Sequence, residues 1–352
     1  MPNLNNKRNA RLLIINYAMN VNDAIFSHQF DICKKLSEEF NHITVITNYV
    51  GNNSIINNVT IHNVDWNSQT KIKSTMKFLM IFLEVLFFEK PNIIFYHMTE
   101  VQCALTSPIA RLMHIRNYLW YAHASKSKYL NFSKYFVNGI LTSTRGSCPI
   151  LGDKIKYIGQ SIDQNLFTFR SHELSSPLKL CHVGRLDKSK NILKLLDFSH
   201  DLNELGYKNT FILIGEPSPG SEKDNYLSAI KEYSSLKNVD LEFFGNKSRL
   251  EIPAILHEMD FFVHAYTGSL DKALLEATMC GVPVLTLNRE YMHLFPKFFK
   301  DQDVSLFEQF LSYFQMNFKE RIRQLLEMKS IVERQHSLDQ WTSKLITIIT
   351  SE

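Results

Sequence analysis

Short apolar runs alternate with longer amphipathic stretches along most of this chain, and that alternation leaves few folds open. In the first half the runs fall at 12–17, 42–47, 59–64, 92–96, 118–122 and 139–143, with helical stretches at 26–40, 71–90 and 101–113 between them. In the second half they fall at 178–183, 210–215, 239–245, 259–265 and 282–287. Brief and rich in apolar residues, they read as strands: 42–47 alternates, whereas 282–287 is an apolar, β-branched run of the kind found in sheets covered on both faces. Strand–helix alternation of this kind predicts an α/β fold. A chain of 352 residues is long for one core and comfortable for two domains. The polar stretch 170–177 reads as the linker. In such sheets a ligand sits at the carboxyl ends of the strands, so the loops there hold the candidates.

Composition narrows the function classes. At 45% hydrophobic and 21% charged residues, the chain should be globular rather than disordered. The net charge of +4 is spread out, without the dense basic block that nucleic-acid binding favours. Five cysteines, far apart and in no ligand spacing, point to buried thiols in a reducing compartment. The apolar run at 12–15 is strand-sized, too short for a secretory signal, so a cytoplasmic protein is expected. The densest apolar run, 76–88, carries Lys77 and Glu84 and is shorter than the roughly 20 residues a membrane crossing needs. Two readings of the helix 71–90 stand: burial in the first domain's core, or a membrane-surface helix helped by Lys71, Lys73 and Lys77. Lys126, Lys128 and Lys134, interleaved with Tyr129, Phe132 and Tyr135, would extend such a surface, and a solvated loop explains them equally well.

The segment 267–287 carries the most chemistry. Gly268 and Ser269 make a loop, Ser269 is a suitable N-cap for a helix over 270–280, Gly281 ends that helix, and Pro283 follows. Glu276 does not fit a plain packing helix. Its helical neighbours Ala273, Ala277 and Cys280 are small, so something can approach closely, and a carboxylate there needs a polar partner. An ion pair with Lys272 is the plain reading; a ligand is the other. On the loops of the first half, His97 and Thr99 follow one strand, His123 and Ser125 follow the next, and Ser27 and His28 open the first long helix. The first loop, Asn20-Val21-Asn22-Asp23-Ala24, has no glycine for close backbone approach to a phosphate.

Leu274-Leu275-Glu276-Ala277 with Cys280-Gly281-Val282-Pro283-Val284 resembles the signature of family-four glycosyltransferases. The second half adds three matches. Gly184-Arg185-Leu186 through Lys190-Asn191 resembles that family's Val-Gly-Arg-Leu-x-x-x-Lys-Gly motif, with Asn191 in place of the last glycine. The stretch 156–167 resembles its interdomain connector, and the FFGN at 243–246 its Phe-x-Gly-x-Val segment. The resemblance implies an α/β GT-B fold, two Rossmann-like domains facing across a cleft. It divides the chain into an acceptor domain at 1–168, a donor nucleotide-sugar domain at 169–334, and a C-terminal helix over 335–352 crossing back to the first. It also implies roles. Glu276 would bind the donor ribose; Arg185 and Lys190 would stabilise the leaving diphosphate, each contact worth roughly 1.5–3 kcal/mol in a desolvated cleft. Gly184, Gly215, Ser269, Leu270, Asp271 and Lys272 would line the diphosphate and sugar, with helix N–H groups aimed at the phosphates. Asn246 and Lys247 would hold the base, and His123 would lie beside the donor sugar. Ser27, His28, His97 and Ser125 are the acceptor-side candidates.

The expected activity is therefore retaining transfer from a UDP- or GDP-linked sugar to a hydroxyl of a glycan or lipid-linked acceptor, in bacterial cell-surface polysaccharide or glycolipid synthesis. No cofactor and no metal are expected, since the fixed cations take that role and no Asp-x-Asp cluster is present. The family's paired Glu-x7-Glu would begin at position 268, where this chain has Gly268. That excludes a covalent double displacement through this position and favours attack on the face the diphosphate leaves. The partners are a nucleotide-sugar donor and a glycan or lipid-linked acceptor, with no nucleic acid. Peripheral placement on the inner face of a membrane goes with the lipid-linked acceptor. Three alternatives stay open: a GT-B nucleotide-sugar epimerase, a catalytically silent glycosyltransferase-like partner and, least favoured because no GxGxxG follows the first strand, a Rossmann dehydrogenase.

Overall fold

A computed structural model describes residues 10–23, 26–51, 55–217 and 223–351. Ala24, the last residue of the glycine-free first loop, lies outside these residues. The chain divides into two compact units, one ending at Ser161 and resuming at Leu338, the other spanning Ile162–Ser337.

The first unit is a seven-stranded parallel sheet of order β3-β2-β1-β4-β5-β6-β7. Its strands and helices run β1 (Leu12–Met19), α1 (Ser27–Ser37), β2 (Ile43–Val50), β3 (Val59–Asn63), α2 (Lys71–Phe88), β4 (Ile93–His97), α3 (Glu100–Leu112), β5 (Arg116–Trp120), α4 (Lys128–Ser133), β6 (Gly139–Thr142) and β7 (Ile155–Tyr157). Because side chains alternate along a strand, β1 feeds two cores. Leu12 and Ile14 pack with α1, whereas Leu13 and Ile15 pack with Phe78 and Phe82 of α2, Cys103 of α3 and Leu130 of α4.

The second unit is a five-stranded parallel sheet of order β10-β9-β8-β11-β12. Its elements run β8 (Leu178–Val183), α5 (Ile192–Glu204), β9 (Asn209–Ile214), α6 (Lys223–Leu236), β10 (Asp240–Gly245), α7 (Ile252–Leu256), β11 (Phe261–His264), α8 (Lys272–Cys280), β12 (Val284–Thr286), α9 (Arg289–Met292), α10 (Leu306–Phe314) and α11 (Phe318–His336). Cys181, Ile212 and Phe262 face the core under α7, α8 and α11; Leu180, Phe211 and Phe261 face the one under α5 and α10. The last helix, α12 (Leu338–Thr350), belongs to the first unit, where Trp341 is fully buried against Phe95 and Trp120. All five cysteines are free and buried.

Several boundaries differ from the sequence reading. Ile162 and Phe167 are fully buried in the second unit's core, so the division falls at Ser161 rather than at 168. The helix expected over 335–352 is interrupted: Ser337 is extended (φ −64°, ψ 154°), and Ile162 N–H donates to the His336 carbonyl beside it. The central helix starts at Lys272 rather than at 270, because Asp271, not Ser269, caps it by accepting from Ala273 N–H at 3.3 Å. Gly281 ends it in the left-handed region, φ 82°. The helix 71–90 is only half core. Ser74, Phe78, Phe82, Val85 and Leu86 are buried, while Met76, Met80, Leu83, Phe87 and Phe88 are exposed.

Candidate active site

The candidate site lies along the carboxyl ends of the second unit's strands. Three of those strands run into glycines: Gly184 after β8, Gly215 after β9 and Gly245 ending β10. Gly215 N–H donates to the Gly245 carbonyl at 2.8 Å, and Gly184 N–H to that of Ile214 at 3.0 Å. A Cβ on Gly215 would overlap the Gly184 carbonyl, and its φ of 130° is one that side chains rarely adopt. The result is a backbone ledge without side chains, on which a ligand can rest closely.

Beyond β8 the chain turns through Arg185 to Asn191. Arg185 points outward, its side chain 53% exposed and 3.5 Å from Asp187. Lys190 turns inward and is buried. Its ammonium pairs with the Asp271 carboxylate and sits 4.2 Å from the centre of the Tyr266 ring. The two cations read from the sequence as one pair are thus differently placed, one in solvent and one enclosed. Asn191 occupies the left-handed region (φ 52°, ψ 44°), which explains how an asparagine serves where the motif has glycine. Its Nδ2 donates to the Ala265 carbonyl at 3.2 Å, tying this loop to β11.

Asp271 is the hub of the network. It caps α8, pairs with Lys190, and accepts from His264 Nε2 at 3.2 Å. Burial opposes its ionisation, but Lys190 and His264 outweigh that and hold the carboxyl well below the usual carboxylate range. His264 is fully buried, and burial pulls its imidazole down against the support of Asp271. Thr286 Oγ1 lies 3.3 Å from its Nδ1 and accepts from Asn288 N–H at 3.0 Å. Because the Asp271 carboxylate can only accept, neutral His264 carries its proton on Nε2, and its bare Nδ1 accepts from the Thr286 hydroxyl. Beside it His182, also fully buried, donates from Nδ1 to the Val263 carbonyl at 3.0 Å. Burial, with His264 nearby, drives His182 down to about 3.

Position 268 differs most from the motif. The Tyr266 ring fills the space a side chain at Gly268 would enter, and a Cβ there would overlap the phenol. Tyr266 Oη lies 3.4 Å from Ser269 Oγ. Asn288, fully buried, pins this loop: its Nδ2 lies 3.1, 3.3 and 3.1 Å from the carbonyls of Tyr266, Gly268 and Ser269.

Glu276 is 9% exposed, and its partner is Arg249 rather than Lys272 one turn earlier. Arg249 Nη2 lies 3.0 Å from Glu276 Oε1, and both side chains are about nine-tenths enclosed, at 10% and 11% exposure. The guanidinium stacks 5.1 Å from the Phe167 ring centre, and its Nε makes no hydrogen bond among the described residues. Lys272 is half-buried at the start of α8, and Leu270 is a core residue that offers only its backbone. Asn246 is exposed and Lys247 lies 3.9 Å from Glu251, at the rim beyond Gly245. No group of three or more His, Cys, Asp or Glu suited to a metal occurs among the described residues.

The first unit's candidates form two small groups. His97 is buried at the end of β4, with ring centres of His28, Phe95, Trp120 and Trp341 at 5.5–6.3 Å. His123 is exposed and its Nδ1 lies 2.8 Å from Ser125 Oγ. Ser27 is buried at the start of α1, and Thr99 donates to the Ile15 carbonyl at 3.1 Å, a structural bond. The glycine-free first loop is closed by Gln29, whose Oε1 accepts from Tyr17 N–H at 2.9 Å and Ala18 N–H at 3.0 Å. Those two donors are thereby taken.

Solved structures share this architecture. Anabaena Alr3699/HepE, solved with UDP and glucose, superposes with a TM-score of 0.74 at 13% identity, over 97% of this chain and 99% of its own. A glycosyltransferase from Rickettsia africae gives 0.71 at 12% identity over 98% and 100%. WaaG, a glycosyltransferase involved in lipopolysaccharide biosynthesis, gives 0.68 at 12% over 97% and 100%. At such identities the likeness establishes the fold, and that fold is GT-B. No curated protein matches the chain in sequence. The profile of the family described as Glycosyl transferases group 1 matches residues 164–344, just over half of the chain. The chain belongs to that family, and is a glycosyltransferase by it.

Proposed function

We propose that this chain is a family-four, retaining, metal-independent hexosyltransferase. It moves a sugar from a UDP- or GDP-linked donor to a hydroxyl of a glycan or lipid-linked acceptor, in bacterial cell-surface polysaccharide or glycolipid synthesis. Glu276 carries the reading. A carboxylate this enclosed, on a helix face of Ala273, Ala277 and Cys280, beside a guanidinium with an unused Nε donor, suits a pair of ribose hydroxyls. The glycine ledge gives the diphosphate a close backbone approach, and Arg185 and Lys190 supply charge where negative charge develops. UDP is the favoured base on the strength of the HepE complexes, one with UDP-glucose.

Donor binding tests this directly. In a thermal-shift screen of UDP-, GDP-, ADP- and CDP-sugars, one donor at 100 times its dissociation constant should stabilise the protein by about 2.7 kcal/mol. Glu276→Gln should weaken that donor at least tenfold. A screen in which no nucleotide sugar shifts the transition overturns the proposal.

A second reading, a glycosyltransferase-like partner that binds donor without turnover, draws on two observations. Lys190 is already neutralised by Asp271, and Tyr266 fills the place of the missing carboxylate at Gly268. Donor binding with no product against any glycan or lipid-linked acceptor would favour it.

A further inference from the structure

The outer face of α2 carries an unusual load for a helix at the surface. Ile72, Met76, Met80, Leu83 and Phe87 are 80%, 60%, 69%, 40% and 65% exposed. Their spacing of four, four, three and four residues puts them on one line along the helix. At about 1.5 Å per residue that stripe runs roughly 22 Å, nearly the length of α2. Phe88, 80% exposed, widens it at the C-terminal end. The opposite face, with Phe78, Phe82 and Val85, is the one spent on the core. Exposed apolar side chains this contiguous mark a docking surface.

Charge identifies what docks. Lys71, Lys73, Lys77 and Lys90 are exposed on and after α2, against a single exposed acid on the helix, Glu84. The other acid at this end, Glu89, is engaged by His62 and Thr44. Asp65 lines one groove together with Lys71, Lys73 and Lys77. The face is net positive, so a second copy of this chain would meet like charge on it, whereas anionic headgroups would neutralise it. No described helix is long and apolar enough to cross a membrane, which leaves a helix lying in the interface.

We propose that α2 docks this glycosyltransferase on an anionic lipid bilayer. Ile72, Met76, Met80, Leu83 and Phe87 enter the acyl boundary, and Lys71, Lys73 and Lys77 face the headgroups. This goes beyond the donor chemistry and does not depend on it, because the surface belongs to the first unit alone.

The test is co-sedimentation of the full chain with phosphatidylcholine vesicles, with and without phosphatidylglycerol, at low and high salt. Wild type should pellet with the phosphatidylglycerol vesicles and less with phosphatidylcholine alone. Met76→Asp with Met80→Asp should weaken partitioning about tenfold per side chain. Lys73→Gln with Lys77→Gln should weaken it about fivefold each, an effect that high salt removes. Circular dichroism melts of the variants, all at exposed positions, check folding. Wild type left in the supernatant, or pelleting unchanged in the methionine variant, overturns the proposal. So does a concentration-dependent dimer that Met80→Asp dissociates.

Discussion

The two α/β units treat the carboxyl ends of their strands in opposite ways. In the second unit the ends are glycines followed by a charged network: Lys190, Asp271 and His264 on one side, Arg249 and Glu276 on the other. In the first unit the corresponding end of β4 is closed by rings, with His97 among Phe95, Trp120 and Trp341, and the first loop is sealed by Gln29. A bare backbone ledge with enclosed charges suits one anionic ligand of fixed shape. The family match covers nearly all of the second unit and, of the first, only part of α12, the pattern expected if the donor site is the shared part.

Breaking this contrast should cost most at Lys190. Lys190→Met removes a cation that diphosphate departure would need and leaves Asp271 unpaired beside His264. A loss of roughly 100- to 1,000-fold in kcat is expected in steady-state kinetics on the donor found by screening. Activity within twofold of wild type would remove the charged network from the chemistry. Asn288→Ala comes next. It strips the donors that hold the 266–269 loop, and an unfolding free energy lower by about 2 kcal/mol is expected in urea titration.

Acid should sharpen the contrast. His182 is buried neutral, at about 3 in the folded state against about 6.5 unfolded. A depressed folded value means that only the unfolded chain takes up the proton as pH falls below about 6.5. Stability is therefore full above that value and lost below it, by about 1.3 kcal/mol from pH 7 to pH 5.5 for this residue alone. His182→Asn, which can still donate to the Val263 carbonyl, should flatten that slope in urea melts at the two pH values. An unchanged slope would place the acid sensitivity elsewhere. The smallest effect is expected from the first unit: Ser125→Ala should leave donor affinity within about twofold by titration. A larger change would tie His123 and Ser125 to donor binding.

The two units also differed in how far their sequences could be read. Strands such as 178–183 and 210–215 were legible because a strand buried on both faces is apolar at nearly every position. The start of α8 was ambiguous locally, since Ser269 and Asp271 are both good caps; only the fold turns Ser269 toward Tyr266 and Asp271 onto Ala273 N–H. Arg249 carried no local signal as the partner of Glu276, because the pair is closed by the packing of α7 against α8. His264 and Asn288 carry no local signal either, and their roles come from what β11 and β12 bring beside them. In α2 the apolar residues occupy both faces, so periodicity could not say which face turns outward.

Tyr266 also constrains what this chain can become. Gly268→Glu made first would drive its side chain into the Tyr266 ring, whereas cutting Tyr266 back first strips the aromatic cover from Lys190. Either order passes through a damaged intermediate. The two positions should therefore change together or not at all, and the double variant should outperform the product of its singles.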